Sequence, residues 1–300
     1  MVPLLPLDAP VLPTLSGLAI EPEEARSILR PQRDEAYGFG LSLSPYRGCG
    51  FGCRYCYLRG YPHGPHAASE WGSWVAPKLN APELIWRERH RLVGTTVFLS
   101  TGTDPYQPVE KHLGLTRQCL QVLLDCPGAR VKLHTRSPLV TRDIDLLQAF
   151  GSRLSVGISI PTDDDTVRQV LEPRAPAIPS RWATVERLAR VGIRVTVAAT
   201  PLLPMADPEG YGRQLRASGA SQVWVGGLRL LKDDPMHDVL ATHGWLRILQ
   251  RDHVRAMAEL LEGCLPSSAK AQRRRGLRTS APVRTLVQNH GVQRPLFESL

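Results

Sequence analysis

The sequence predicts an α/β fold, a partial (β/α)6 barrel in which an open parallel sheet carries helices on its outside. Three observations point there. Six short apolar, β-branched runs alternate with longer amphipathic runs from about residue 40 to 263, and such alternation builds parallel strands with helical crossovers. Six units fall short of the eight that close a complete barrel. The polar and glycine-rich connections follow the strands, at 47–59, 100–110, 134–138, 159–165 and 199–204, and the carboxyl ends of parallel strands are where such folds place their sites.

Each element has its own signal. A first strand at about 40–44 leads into the loop RGCGFGCRYCYLR. APELIWRERHRLV (81–93) has helical apolar spacing, and Pro82 suits a first helical turn. TTVFLS (95–100) reads as a strand, LTRQCLQVLLDC (115–126) as a helix, RVKLHT (130–135) as a strand and PLVTRDIDLLQAF (138–150) as a helix. RLSVGISI (153–160) is the next strand, with helices near 164–171 and 181–190. IRVTVAAT (193–200) is a strand, PEGYGRQLRASG (208–219) a helix, SQVWVGGL (221–228) the last strand, and 236–263 is largely helical. Residues 1–38, rich in proline, read as an N-terminal arm, 39–265 as one core domain and 266–300 as a basic C-terminal tail.

Composition narrows the class. At 42% apolar and 22% charged residues, the chain has ample material for a core. No run approaches the roughly 20 apolar residues of a membrane helix. The N-terminus has four prolines by residue 13 and no basic segment, which argues against a secretory signal and for a cytoplasmic protein. In a reducing compartment clustered cysteines indicate metal or catalysis rather than disulfides. Of the net charge of +9, residues 270–300 hold +6: seven Lys and Arg against Glu298. Such a tail can bind phosphate backbones, so nucleic acid is one partner to test. The run AKAQRRRGLRTS has no interleaved aromatics to stack bases, which favours a solvated terminus.

Cys49, Cys53 and Cys56 form C-x3-C-x2-C among Gly48, Gly50 and Gly52. Glycines let backbone wrap closely around a bulky object, and soft thiolates suit iron–sulfur clusters or zinc. On a four-iron cluster, three thiolates would leave one iron open. The alternative is a Cys3His zinc site completed by His63 or His66, although neither histidine makes a paired-ligand spacing with the cysteines. Cys119 and Cys126 lie on one helical face with Leu115, Val122 and Leu123, as core residues do, and Cys264 has no motif around it.

The cysteine motif with Tyr55 before its last cysteine resembles the radical S-adenosylmethionine (SAM) superfamily. SPYRGCGFGCRYCYLRG, WVAPKLNAPEL, GTDPYQPVE, TRSPLVTRDIDLL, LEPRAPAIPSR and TPLLP resemble, in that order, its spore photoproduct lyase-like group. The resemblance covers about 27–230 and implies the same partial barrel. It implies a 4Fe–4S cluster on Cys49, Cys53 and Cys56, with SAM chelating the open iron. Reductive cleavage to a 5′-deoxyadenosyl radical, which abstracts a substrate hydrogen, would follow, with an electron donor such as flavodoxin or ferredoxin.

Residue by residue, Tyr55 resembles the aromatic near the adenine. Thr101, Thr103 and Asp104 stand where the methionine ammonium is held, although Asp104 before Pro105 is also a turn residue. Arg136 occupies a common lysine position and would meet the SAM carboxylate bidentately. Ser159 resembles a ribose contact and Ala199 a backbone contact to adenine. Asn80 reads as a helix N-cap, and Glu172 with Arg174 as a structural pair. Ser44, Phe51-Gly52 and MADPE (205–209) depart from the group's pattern, which leaves the substrate open. Spore photoproduct lyase repairs a thymine lesion in DNA with a further cysteine as hydrogen donor, and none here stands out. DNA-lesion repair and a zinc or nucleic-acid-binding module without radical chemistry are the alternatives.

Overall fold

The computed structural model describes residues 14–15, 17–32, 38–61, 63–99, 101–230 and 233–265; the basic tail lies outside them. The strands are β1 (Thr14–Leu15), β2 (Leu18–Ile20), β3 (Leu29–Pro31), β4 (Leu41–Leu43), β5 (Tyr46–Arg47), β6 (Trp74–Pro77), β7 (Thr96–Leu99), β8 (Arg130–Thr135), β9 (Leu154–Ser159), β10 (Val195–Ala199) and β11 (Gln222–Val225). The main sheet has the order β11-β10-β9-β8-β7-β4-β3. Its six expected strands all pair in parallel, and β3 adds an antiparallel edge beside β4. A second, small sheet, β1-β2-β6-β5, sits beside the cysteine loop. The sequence reading did not anticipate it, because strands of two to four residues carry too short a pattern to register.

Parallel neighbours that follow one another in sequence need crossovers of one hand, which places their helices on one face of the sheet. The helices are α1 (Ala81–Arg87), α2 (Glu110–Leu113), α3 (Leu115–Leu124), α4 (Ile144–Ala149), α5 (Asp165–Leu171), α6 (Ile178–Arg190), α7 (Pro208–Ala217), α8 (Met236–Thr242) and α9 (Arg251–Gly263). The strands alternate accordingly. Val97, Leu99, Val131, Leu133 and Val156 are buried towards the helices, while Phe98, Lys132 and His134 take the opposite face and are half-buried.

Local chemistry fixes the boundaries. Asp164 caps α5 by accepting from the Thr166 amide at 2.7 Å, and Asp207 caps α7 through the Gly210 amide at 2.8 Å. The stretch 236–263, expected to be largely helical, is so in three pieces. Gly244 takes φ 71°, a left-handed value that ends α8 before a short 3-10 turn leads into α9. Asn80 does not cap α1 with its side chain; it bonds Ala25 in both directions, at 3.1 and 2.8 Å. Among the described residues no helix is long and apolar enough to cross a membrane.

A buried acid stitches the connection after β7 to that after β8. Asp143 is fully buried, accepts from the Tyr106 hydroxyl at 2.9 Å, and pairs with Arg117 at 2.9 Å and Arg142 at 2.8 Å. Asp143→Ala leaves the buried Tyr106 hydroxyl without its acceptor and takes one carboxylate from Arg117 and from Arg142, which keep Asp145 and Glu110. It is expected to cost about 3 kcal/mol in urea unfolding, towards the low end for a broken buried pair because both arginines reach solvent.

Candidate active site

The cysteine loop runs from β5 to β6 and is held by three distant segments. Gln107, in the connection after β7, accepts from the Gly50 amide at 2.8 Å and donates to the Gly48 carbonyl at 3.3 Å. The Arg54 amide donates to the Leu171 carbonyl, the last of α5, at 2.9 Å. Arg174 donates to the Gly50 carbonyl at 3.4 Å and to that of Gly72. Gly52 and Gly72 have φ 58° and 100°, and a Cβ on Gly72 would lie 2.7 Å from the Gly52 Cα. There the loop's two backbone limbs touch, which only glycine permits.

Cys49 and Cys53 are buried and Cys56 half-buried. Burial pushes all three thiols up, Cys56 to about 12, and the charges of Cys49 and Cys56 add to the rise at Cys53. Against this, the Arg136 guanidinium donates to Cys53 Sγ at 3.0 Å. Among the described residues no three His, Cys, Asp or Glu side chains converge as the ligands of a single ion would. Neither histidine completes a zinc site. His63 Nε2 lies 2.6 Å from the Leu58 carbonyl, while His66 stacks on Trp74 and pairs with Glu21 at 2.8 Å. Three soft thiols in a glycine-wrapped loop, one of them beside a cation, fit an iron–sulfur cluster with one iron left free of protein ligands.

Arg136, just past β8, is the hub of the site. Its amide donates to Asp104 Oδ2 at 2.8 Å, and its Nη1 reaches Glu172 and, at 3.2 Å, the Tyr55 hydroxyl. Tyr55 also donates to Glu172. Glu172 is fully buried at the end of α5 and does not pair with Arg174 as the sequence suggested. Its second partner is Arg181 of α6, equally buried, at 2.6 Å: a close ion pair whose alignment is not that of a hydrogen bond. Burial pushes the Glu172 carboxyl up, but Arg136 and Arg181 outweigh it and hold the carboxyl below its usual range.

Asp104 is the turn residue as well as the site acid. It accepts from the Tyr106 amide at 2.9 Å and the Thr135 hydroxyl at 2.5 Å, and burial raises its carboxyl against the pull of Arg136. Cys49, Cys53, Cys56, Tyr55, Asp104 and Arg136 thus come together. The other predicted residues stand around them. The Thr103 hydroxyl donates to the Tyr46 carbonyl at 3.2 Å, and exposed Thr101 accepts from the Tyr57 hydroxyl at 2.7 Å. Ser159 and Ala199 are buried at the ends of β9 and β10, with their carbonyls taken by Arg181 at 3.2 Å and the Gly226 amide at 3.2 Å.

Two groups escaped the sequence reading. One is Arg181, whose place in an ordinary amphipathic helix gives no sign of burial. The other is the His134–Trp224 pair on the concave face, with ring centroids 6.3 Å apart and near-parallel planes. His134 lies over Gly157, where a Cβ would be 3.0 Å from the ring. Its Nε2 is buried with no hydrogen-bond partner, and burial, then Arg136, lowers the imidazole to about 4. Trp224 is exposed. Period-two reading of RVKLHT and SQVWVGGL would have put both rings on the face away from the helices.

Residues 43–210, more than half of the chain, match the radical SAM superfamily. The chain belongs to that superfamily. Enzymes of this superfamily use a 4Fe–4S cluster and SAM. An uncharacterized protein of Methanocaldococcus jannaschii is 32% identical over 166 residues, 54% of this chain and 60% of that protein. An uncharacterized protein of Mycobacterium tuberculosis is 26% identical over 258 residues, covering 75% of this chain and 74% of its own. Among solved structures, a spore photoproduct lyase double mutant with bound AdoMet and dinucleoside spore photoproduct superposes with TM-score 0.55 at 14% identity, over 74% of this chain and 65% of that one. A single mutant of spore photoproduct lyase also gives 0.55, at 12% identity, over 81% and 66%. This chain therefore spans 60% of the archaeal relative and slightly under two thirds of those lyase chains, and the likeness to the lyase is one of fold.

Two expectations follow from this site. Gly72→Ala, strained in φ and blocked by Gly52, should lower stability by about 2 kcal/mol in thermal or urea unfolding. The unfolded chain protonates His134 near its ordinary 6.5 and the folded chain only near 4. Between these values the unfolded state binds the extra proton, so this contribution to stability is complete above about pH 6.5 and lost as pH falls towards 4. The difference in unfolding free energy between pH 7 and 4.5 should shrink in His134→Gln.

Proposed function

We propose that this chain binds a 4Fe–4S cluster through Cys49, Cys53 and Cys56, holds SAM beside it, and starts radical chemistry on a substrate lying over the concave face. The observation that carries this is the loop itself: three thiols, two buried and one half-buried, beyond the carboxyl end of β4, without a fourth protein ligand among the described residues and with a guanidinium on one sulfur. A cluster held by Cys49, Cys53 and Cys56 would, when bound and reduced, supply the one-electron chemistry for reductive cleavage of SAM and hydrogen abstraction from a substrate. The electron is drawn from a low-potential donor such as flavodoxin or ferredoxin.

The chain's own residues bind and orient. Asp104, with Thr101 and Thr103, faces the SAM ammonium, and Arg136 faces the carboxylate. Tyr55, Ser159 and Ala199 frame the nucleoside. Support for this lies in the position of Asp104, Arg136, Ser159 and Ala199 at or beyond strand ends and in the rigid mounting of Asp104 and Arg136, which are bonded to each other at 2.8 Å. Trp224, stacked on His134, offers the substrate an exposed aromatic face.

A DNA photolesion lyase with a cysteine hydrogen donor finds less support. Cys119 and Cys126 are buried at helix α3 and its end, and Cys264 follows α9 against Gly212.

Anaerobic reconstitution with iron and sulfide should give a brown protein that forms 5′-deoxyadenosine when reduced in the presence of SAM. Cys53→Ala should lose both the full cluster and that product. A colourless protein holding one zinc would sink the reading.

A further inference from the structure

A file of charge runs from a helix on the outside of the barrel to a sulfur at its mouth. Arg181 is fixed within α6 by the Pro176 carbonyl at 2.8 Å and the Ser159 carbonyl at 3.2 Å. It faces Glu172 at 2.6 Å, both side chains being fully buried. Glu172 accepts from Arg136 Nη1 and from the Tyr55 hydroxyl. That same Arg136 nitrogen lies 3.0 Å from Cys53 Sγ. The nitrogen next to a thiol that we assign as a cluster ligand is therefore shared with a carboxylate that cannot move. We propose that Glu172 is a positioning residue that sets the reduction potential of the iron–sulfur cluster by fixing Arg136 beside Cys53 and damping its charge there.

This deepens the cofactor reading above and rests on it. A positive charge and an N–H bond at a cluster sulfur both favour the more negative, reduced state, and so raise the potential. Arg136 supplies both. In a pocket with little water its field is weakly screened. Glu172 places the opposite charge on the same nitrogen, and Arg181 holds Glu172 from behind so that the carboxylate cannot swing away. The net result is an ordered N–H contact at Cys53 without the full upward pull of a bare cation. A strongly reducing cluster suits an electron donor to a sulfonium, which is difficult to reduce.

The test is a mediator titration of the reconstituted full-length protein, followed by the electron paramagnetic resonance signal of the reduced cluster. Glu172→Gln, nearly isosteric but uncharged, should shift the midpoint potential positive. Arg136→Gln, which loses both the charge and its fixed N–H, should shift it negative. Glu172→Asp should keep the midpoint close to wild type while lowering thermal stability. A general loosening of the loop would move Glu172→Gln and Arg136→Gln in the same direction.

A Glu172→Gln midpoint unchanged or shifted negative overturns the proposal. If circular dichroism shows Glu172→Gln unfolded, Arg136→Gln decides, and an unchanged or positive midpoint there overturns it. Wild-type protein that takes up no 4Fe–4S cluster would fail the cofactor reading itself, before any variant is compared.

Discussion

A carboxylate taken wholly out of water must be matched by cations or it will not stay ionised, and Glu172 is matched on both sides. Arg181 reaches it from α6 and Arg136 from the end of β8, while the Tyr55 hydroxyl closes on it from the cysteine loop. One acid therefore fixes the relative positions of a helix, a strand end and the loop that carries the thiols. Few other arrangements of these three would leave it solvated by protein. The neighbouring backbone bond from Arg54 to Leu171 and the reach of Arg174 to Gly50 follow from the same docking of the chain segment after α5.

The sheet supplies the frame for that docking. With strands laid down in sequence order and their helices on one side, the opposite face is left to half-buried and polar side chains. Asp104, Arg136 and Ser159 sit at or just beyond the ends of adjacent strands and need no special folding to meet. Parallel register brings the strand ends side by side, as the pairing of Thr135 with Ile158, the neighbours of Arg136 and Ser159, shows. The chemistry of the site is then decided by the loops. Two of these, after β5 and after β7, are locked to each other through Gln107.

Much of this was legible in the sequence because it is local. The six parallel strands are β-branched or alternating runs of four to six residues or more in the sequence, and all six appear within a few residues of their expected places. Helix α3 declared itself by one apolar face. The cysteine triplet and the acid before Pro105 were visible as spacing and residue type. What stayed hidden is what depends on distance along the chain. The strands of the small sheet are too short for a period to show. Arg181 sits among polar helix residues and differs from them only by what it meets after folding. Asn80 looked like a cap and instead grips the segment at Ala25, 55 residues earlier. Glu172 was recognisable as part of LEPR, yet its partners proved to be Arg136 and Arg181 rather than the nearby Arg174. Short-range geometry would favour the nearer cation; the strand order favours the farther ones.

The span between the cysteine loop and its supports bears on biosynthesis. Tyr55 waits for a partner 117 residues later in the chain, and Gly50 for one 124 residues later. The three cysteines therefore leave the ribosome long before the braces supplied by Glu172 and Arg174 exist. Until the segment through α6 has been made and folded, the thiols belong to an open, glycine-rich stretch exposed to water and oxidants. Loading of a cluster on these thiols would thus be a step of the completed fold rather than of the nascent chain, and the maturation machinery would meet a folded protein with its loop already braced.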